Sequence, residues 1–192
     1  MLDGEVVSHE GLVTVDRARL WTRPEVRPLL IAPAVSIPTA REGAEWADGL
    51  ITINQDHDHL RRMVEAYRDA GGTGVVALQV HLSWAPSEDE AMAIAFDQWR
   101  SNVFPPPVCW DLDTVEAFDV VSRDVTEEQV RRSVLVSSDL GQLTGWIQEL
   151  VDLGFDEVYL HHVGQEQQRF LDAFGETVLP ELGATRPREV VS

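Results

Sequence analysis

Apolar and polar positions fall into blocks along this chain, and the blocks predict strands and helices in turn. From Val75 to Trp84 the period is two, with Leu78, Val80 and Leu82 on one face and Gln79, His81 and Ser83 on the other. Leu29 to Ala32 and Gly49 to Ile53 are shorter apolar runs of the kind a buried parallel sheet uses. Val158 to Val163, between Gly154 and Gly164, is a fourth. A helical period follows each run. Pro38 suits the first turn of a helix reaching Ala47. His57 to Ala70 carries Leu60, Met63, Val64 and Tyr67 on one stripe and ends at Gly71-Gly72. Ser87 and Glu90 have capping-box spacing ahead of Ala91, Ala95, Trp99 and Val103, and Pro105 to Pro107 stop that helix. Thr114 to Val121 reads as another helix, and Thr126 with Gln129 as a second box. Val134 to Val136 is a short apolar run of extended type. Leu143, Trp146, Ile147, Leu150 and Val151 form the next stripe, and Phe170, Phe174 and Val178 the last, finishing or kinking at Pro180.

A strand running into an amphipathic helix, repeated, is the unit of a parallel α/β protein. Four main strands are expected here, with a helical insertion between the third and the fourth. A β/α barrel takes about 250 residues, so the 192 residues of this chain predict a (βα)4 half of a TIM barrel over 29–182. Residues 1–28 differ: Val6 to His9, a Glu10-Gly11 turn and Leu12 to Val15 read as a lead-in β-hairpin. Residues 183–192 read as a polar, disordered tail.

Composition narrows the partners. Thirty-three acidic residues face 15 basic ones, all of them Arg, for a formal charge of −18. Nucleic acid and anionic membrane both require a basic face, so neither is an expected partner. A solvated outer shell of helices accounts for the acidity, with a high-salt habitat or a basic partner as the alternatives. Cys109 is the single cysteine, which leaves no internal disulfide and fits a reducing, cytoplasmic setting. No apolar run suggests a signal peptide or a membrane span.

Candidate chemistry sits at strand ends. If Val75 to Trp84 lines a barrel, His81 points inward and Ser83 and Trp84 lie at the functional, C-terminal end. A hydrogen-bonded core histidine is the competing reading of His81. His161 and His162 alternate across the last strand, and His161 is the one expected to face the interior. His57 and His59 have a metal-like spacing, but they sit in the acidic first turn of a helix, where residues two apart diverge. Cys109 has no identifiable basic partner and reads as an inert thiol. Trp46, Trp99 and Trp146 read as packing against the sheet. Gly71, Gly72 and Gly74 follow a helix and precede a strand, the reverse of a nucleotide-binding loop.

Several blocks, in order, carry a resemblance. They are LeuAspGlyGluVal (2–6), TrpAlaAspGlyLeuIleThr (46–52), GlnTrpArgSerAsnValPhe (98–104), GlyPheAspGluValTyrLeuHis (154–161) and PheGlyGluThrValLeuPro (174–180). Together they resemble the bacterial-luciferase-like oxidoreductases, in particular the subgroup similar to F420-dependent glucose-6-phosphate dehydrogenase and its branch using an ordinary flavin. The resemblance implies the C-terminal half of that barrel, over about residues 2–182. The family's catalytic His and Trp and its acidic proton donor lie in the other half, so no catalytic residue is carried over. The part present implies a site for the cofactor tail, FMN or F420, at Ala34, Val35, Ser36 and Asn54. It also implies a substrate mouth at His81, Ser83, Trp84 and His161. Asp56, Cys109 and Ser133 stand where the sugar-phosphate enzymes hold phosphate with cations, which argues against a glucose-6-phosphate substrate.

A lone half-barrel exposes two sheet edges and an apolar inner wall. A partner is therefore expected, either a separate N-terminal half or a second copy. The isolated chain is expected to be inactive; the cofactor expected is FMN or F420, with none for the isolated chain as the alternative. The alternative is a non-catalytic assembly or binding module that kept the fold.

Overall fold

The computed structural model describes residues 1–183, so most of the polar tail expected over 183–192 lies outside the described residues. The described chain forms two compact units, with the division between Leu30 and Ile31. In the first, β1 (Val7–His9) and β2 (Val15–Ala18) pair antiparallel, with His9 opposite Val15. The expected tight turn at Glu10-Gly11 is instead a loop over 10–14, and the second strand starts at Val15. Glu10-Gly11 lacks the Gly, Asn or Asp at its first position that a two-residue hairpin turn needs, and Leu12 and Val13 lie exposed in the loop.

The second unit is built on a parallel sheet of β3 (Ile31–Pro33), β4 (Gly49–Ile53), β5 (Val75–Trp84), β6 (Leu135–Ser137) and β7 (Glu157–His162). β3 pairs with β4, and β4 with the first half of β5. β7 pairs with β5 over Ala77 to Leu82. The carbonyls of Val76 and Leu82 accept from Asp156 and Val163 at the two ends of β7, whereas that of Gln79 accepts from Asn54, just past β4. Successive peptide groups point to opposite edges of a strand, so β4 and β7 flank β5. The half-barrel order expected from the pattern is therefore present: β3, β4, β5, β7. β6 is an addition, a short strand inside the otherwise helical insertion, and it pairs with Leu82 to Trp84 beyond the end of β4.

Alternation along β5 fixes the layers. Leu78 and Val80 are fully buried against Leu60, Met63 and Tyr67 of α2 (His57–Asp69) and Leu150 of α7 (Leu140–Val151). Leu50 and Ala32 join them from β4 and β3. Further along, Leu82 meets Leu143 and Ile147 of α7 with Phe170, Phe174 and Val178. The last three lie on one helical run made of α8 (Gln168–Ala173), a π turn (Phe174–Val178) and α9 (Leu179–Glu181). Pro180, expected to finish or kink this run, lies inside it just after the π turn. A proline removes one helical hydrogen bond and pushes away the preceding turn, and the wider turn sits where that misfit falls.

Asp156 stitches the sheet to α2: one carboxylate oxygen accepts from the Val76 amide and from Arg68, both at 2.8 Å. α1 (Ile37–Gly43) is shorter than expected, and Trp46, read from sequence as packing on the sheet, is 59% exposed in the turn after it. The insertion holds α3 (Glu88–Trp99), α4 (Val108–Asp111), α5 (Val115–Val121) and α6 (Glu127–Arg131). Thr126 and Gln129 form both halves of the second capping box. Ser87 caps α3, but the Glu90 carboxylate pairs with Arg169 at 3.2 Å.

Away from α2 and α7 the sheet is open. Val35, just past β3, is 52% exposed, Ile53 38% and Tyr159 51%, all on the face opposite the packed one. Among the described residues no strand pairs with the outer edge of β3 or of β7. No described helix is long and apolar enough to cross a membrane.

Candidate functional site

The polar face of β5 is inward-facing, as expected, and α3 closes its C-terminal end. Ser83 is fully buried, with its hydroxyl donating to the Ala91 carbonyl at 2.7 Å. It fastens α3 to the sheet and presents nothing to a ligand. Two residues earlier, the His81 ring lies under Trp99, the last residue of α3, with ring centroids 4.5 Å apart. His161 reaches across from β7, and the Nδ1 atoms of the two histidines are 2.9 Å apart. Trp99 also stands edge-on to His161 at 5.6 Å. Parallel pairing sets His81 directly opposite His161, so the contact follows from register.

Burial first, and the neighbouring His161 second, lower the His81 pKa from 6.5 to about 4. A histidine with a depressed folded pKa binds more protons when unfolded, so its contribution to stability rises with pH. That contribution is complete above about pH 6.5 and is lost as pH falls toward 4. His81→Gln should therefore show a smaller loss of chemical-denaturation midpoint between pH 7 and pH 5 than the parent chain. Equal losses in both would mean that His81 is not held neutral by the fold.

Asn54 positions the pair from below. Its side-chain oxygen accepts from the His81 amide at 3.1 Å, and its side-chain nitrogen donates to the Ser133 carbonyl at 3.4 Å. A residue read from sequence as a cofactor contact thus ties β4, β5 and the segment entering β6 together. The other residues of that group lie around the turn after β3. Ala34 is buried and donates its amide to the Ile51 carbonyl. Ser36 caps α1, accepting from the Thr39 amide at 3.3 Å, and its hydroxyl lies 2.9 Å from that of Thr39. Of two hydroxyls bonded to each other, one keeps a free proton. The turn therefore fits a single hydroxyl contact to a ligand oxygen, beside the exposed Val35. His59 does not stand with His57 as a metal pair: its Nε2 lies 3.3 Å from the Val35 carbonyl.

Trp84 parts company with the other mouth residues. It lies on the opposite face, its indole donating to the Ser138 carbonyl at 3.2 Å. With His162, Glu90, Gly164, Arg169 and Phe170 it lines a cleft of about 110 Å³ between the loops after β5 and β7. Sequence reasoning did not single out this cleft. His162 is 4% exposed and stacks on Phe170 at 4.8 Å, and its Nδ1 has no hydrogen-bond partner. Burial holds the His162 pKa below its ordinary value, against the opposing pull of the Leu82 carbonyl. Trp99, also missed as a site residue, is the third member of the inner cluster. Only the alternation of β5 under a helix of known length could have found it.

Comparisons with known proteins agree with this architecture. Residues 1–168 match the family described as luciferase-like monooxygenase. An F420-dependent glucose-6-phosphate dehydrogenase of Intrasporangium calvum is 30% identical over 135 residues, which cover 70% of this chain and 36% of that protein. Another, from Nakamurella multipartita, is 28% identical over 191 residues, covering 94% and 56%. Among solved structures, an F420-dependent secondary alcohol dehydrogenase in complex with an F420-acetone adduct superposes with a TM-score of 0.78 at 19% identity, over 93% of this chain and 56% of that one. The F420-dependent tetrahydromethanopterin reductase from Methanopyrus kandleri superposes with a TM-score of 0.66 at 19% identity, over 94% and 59%. Those structures establish the fold: an α/β sheet of the barrel type, at little over half the neighbours' length and not closed. The chain spans about half, or less, of the curated relatives it matches. On the family match and the open parallel sheet together, this chain belongs to the luciferase-like monooxygenase family.

Proposed function

We propose that the chain is the C-terminal part of a luciferase-like oxidoreductase dependent on FMN or F420, and that it works only when a companion carrying the complementary strands closes the ring. The observation that supports this is the sheet itself: both outer edges are unpaired among the described residues, and Val35, Ile53 and Tyr159 lie exposed on the inner wall outside the part that α3 covers. Two open parallel edges and exposed apolar side chains between them are costly to leave in water. The half-length match to the relatives points the same way. In this reading the chain supplies the hydroxyl contact at Ser36 and Thr39 for a cofactor oxygen, and the His81–His161–Trp99 cluster for the substrate mouth. The bound cofactor would supply the redox chemistry. The groups that react with it belong to the companion.

Purified alone, the chain should be colourless and should self-associate as its concentration rises. Co-expressed with a chain of complementary strand–helix units, it should form a one-to-one complex that retains a flavin or deazaflavin chromophore. Light scattering and the visible absorbance spectrum read both results. A colourless, closed homodimer that ignores the companion would overturn the proposal and favour a non-catalytic half-barrel module.

A further inference from the structure

We infer that the strand joining the free edge of β7 carries an inward arginine or lysine that meets Glu157, and that this charge pair selects a companion chain over a second copy of this one. The inference rests on the function proposed above and adds the chemistry of the partner.

Parallel register lays the inner wall out in rows. Ile31, Gly49 and Val75 form one. In the next, Pro33 pairs with Ile51, Ile51 with Ala77 and Ala77 with Glu157. Ile53, Gln79 and Tyr159 follow, and then His81 with His161. Strand residues two apart share a face, so Glu157 stands on the wall with Tyr159 and His161, while Val158 and Leu160 point into the packed core. Among the described residues of these rows Glu157 is the only carboxylate, and none is an arginine.

In the open chain Glu157 needs no ion. It is exposed and accepts a hydrogen bond from the Tyr159 hydroxyl at 2.5 Å. None of the ion pairs of the described residues includes it. Closure changes this. The interior of a β/α barrel is filled by layers of side chains and is not a water channel. Ala77, directly beside Glu157, is 2% exposed even in the open sheet. A carboxylate shut into that wall would keep one bond from a phenol, against about four lone-pair sites. An ionised carboxylate taken out of water without a counter-charge is strongly unfavourable. Its own row offers only Pro33, Ile51 and Ala77, so the cation has to come from across the free edge of β7.

A second copy does not supply it. Closure by two copies would set β7 of one against β3 of the other, where the inward positions are Ile31, Pro33 and Val35. Each copy would then wall in one carboxylate among apolar neighbours. A companion with an inward arginine or lysine avoids this, and a guanidinium can span both carboxylate oxygens. The pair would fix which chain closes the ring, and in which register.

Strand peptides test this on the chain as it stands. A peptide of about six residues, alternating valine and threonine, can add to an open edge through its main chain. Three versions carry Arg, Gln or Glu at one central inward position. Fluorescence anisotropy at low salt should show the Arg peptide binding about fivefold more tightly than the Gln peptide, and the Glu peptide most weakly. The advantage of Arg should vanish in Glu157→Gln, and in Glu157→Arg the Glu peptide should bind best. A preference for Arg that survives in Glu157→Gln would be general attraction to an acidic chain and would overturn the inference. So would equal binding of the three peptides, or no binding at all. In the two-chain complex, Glu157→Gln should weaken association on the order of 10²-fold, and an unmoved affinity would sink the pair. Self-association of the lone chain should tighten in the same variant. If it weakened instead, a second copy would be supplying the cation and the choice of partner would be wrong. Chromophore capture separates the two readings. Capture by a chain whose peptide binding ignores Glu157 leaves the half-barrel function standing without the charge pair. If no companion gives capture, the function reading fails, and the peptides still decide whether the β7 edge calls for a cation.

Discussion

Gly74→Ala should leave no cooperatively folded sheet. A Cβ at Gly74 would stand 1.7 Å from the Asp48 carbonyl oxygen and 2.6 Å from its carbon, both backbone atoms with no flexible end to swing aside. Relief requires the start of β5 to move away from the start of β4, which breaks the pairing of Gly49 with Val75 from which the ladder runs. Overpacking a tight site costs about 1–3 kcal/mol and occasionally more. A backbone-on-backbone collision belongs at or above the top of that range, a large part of the ~5–15 kcal/mol that holds a domain together. The measurement is a thermal melt by circular dichroism, with Gly145→Ala in α7 as the control. Nothing lies within 4 Å of a Cβ at Gly145, so that variant should melt at or slightly above the parent. A parent-like melt for Gly74→Ala would mean that the two strands do not approach so closely.

Leu78→Ala should cost about 2–5 kcal/mol. Leu78 is fully buried at the centre of β5, which is flanked by β4 on one side and β7 on the other. The core cluster it belongs to draws on α2, α7 and the strands β3, β4, β6 and β7, so no one element can relax to fill the space. The loss should appear as a lower urea midpoint with an unchanged slope. A loss below about 1 kcal/mol would place Leu78 at the margin of the core rather than in it.

Much of the fold was legible because its signals are local. β4 and β5 begin and end where the apolar runs do, and α2 ends at its glycine pair. Period and capping are properties of a few neighbouring residues, and the chain obeys them. Three departures from the sequence pattern arise beyond the reach of a local window, two of them through a distant partner. Glu90 leaves its capping box because Arg169, far along the chain, offers a charge partner. Ser83 is drawn under α3 by the Ala91 carbonyl. Trp46 lies exposed because α1 stops before reaching it. The candidate site divides in the same way. Alternation was enough to turn His81 and His161 inward. Their meeting at 2.9 Å, and the Trp99 ring across both, depend on strand register and on the landing point of α3, which no sequence window contains.

The bared inner wall carries a thermodynamic consequence. A small molecule resting on that wall and a chain that closes over it would be coupled ligands of one surface. Each would raise the affinity of the other by the same factor, whichever arrived first. Dilution of the assembly would then release both together, and an excess of either would hold the other in place.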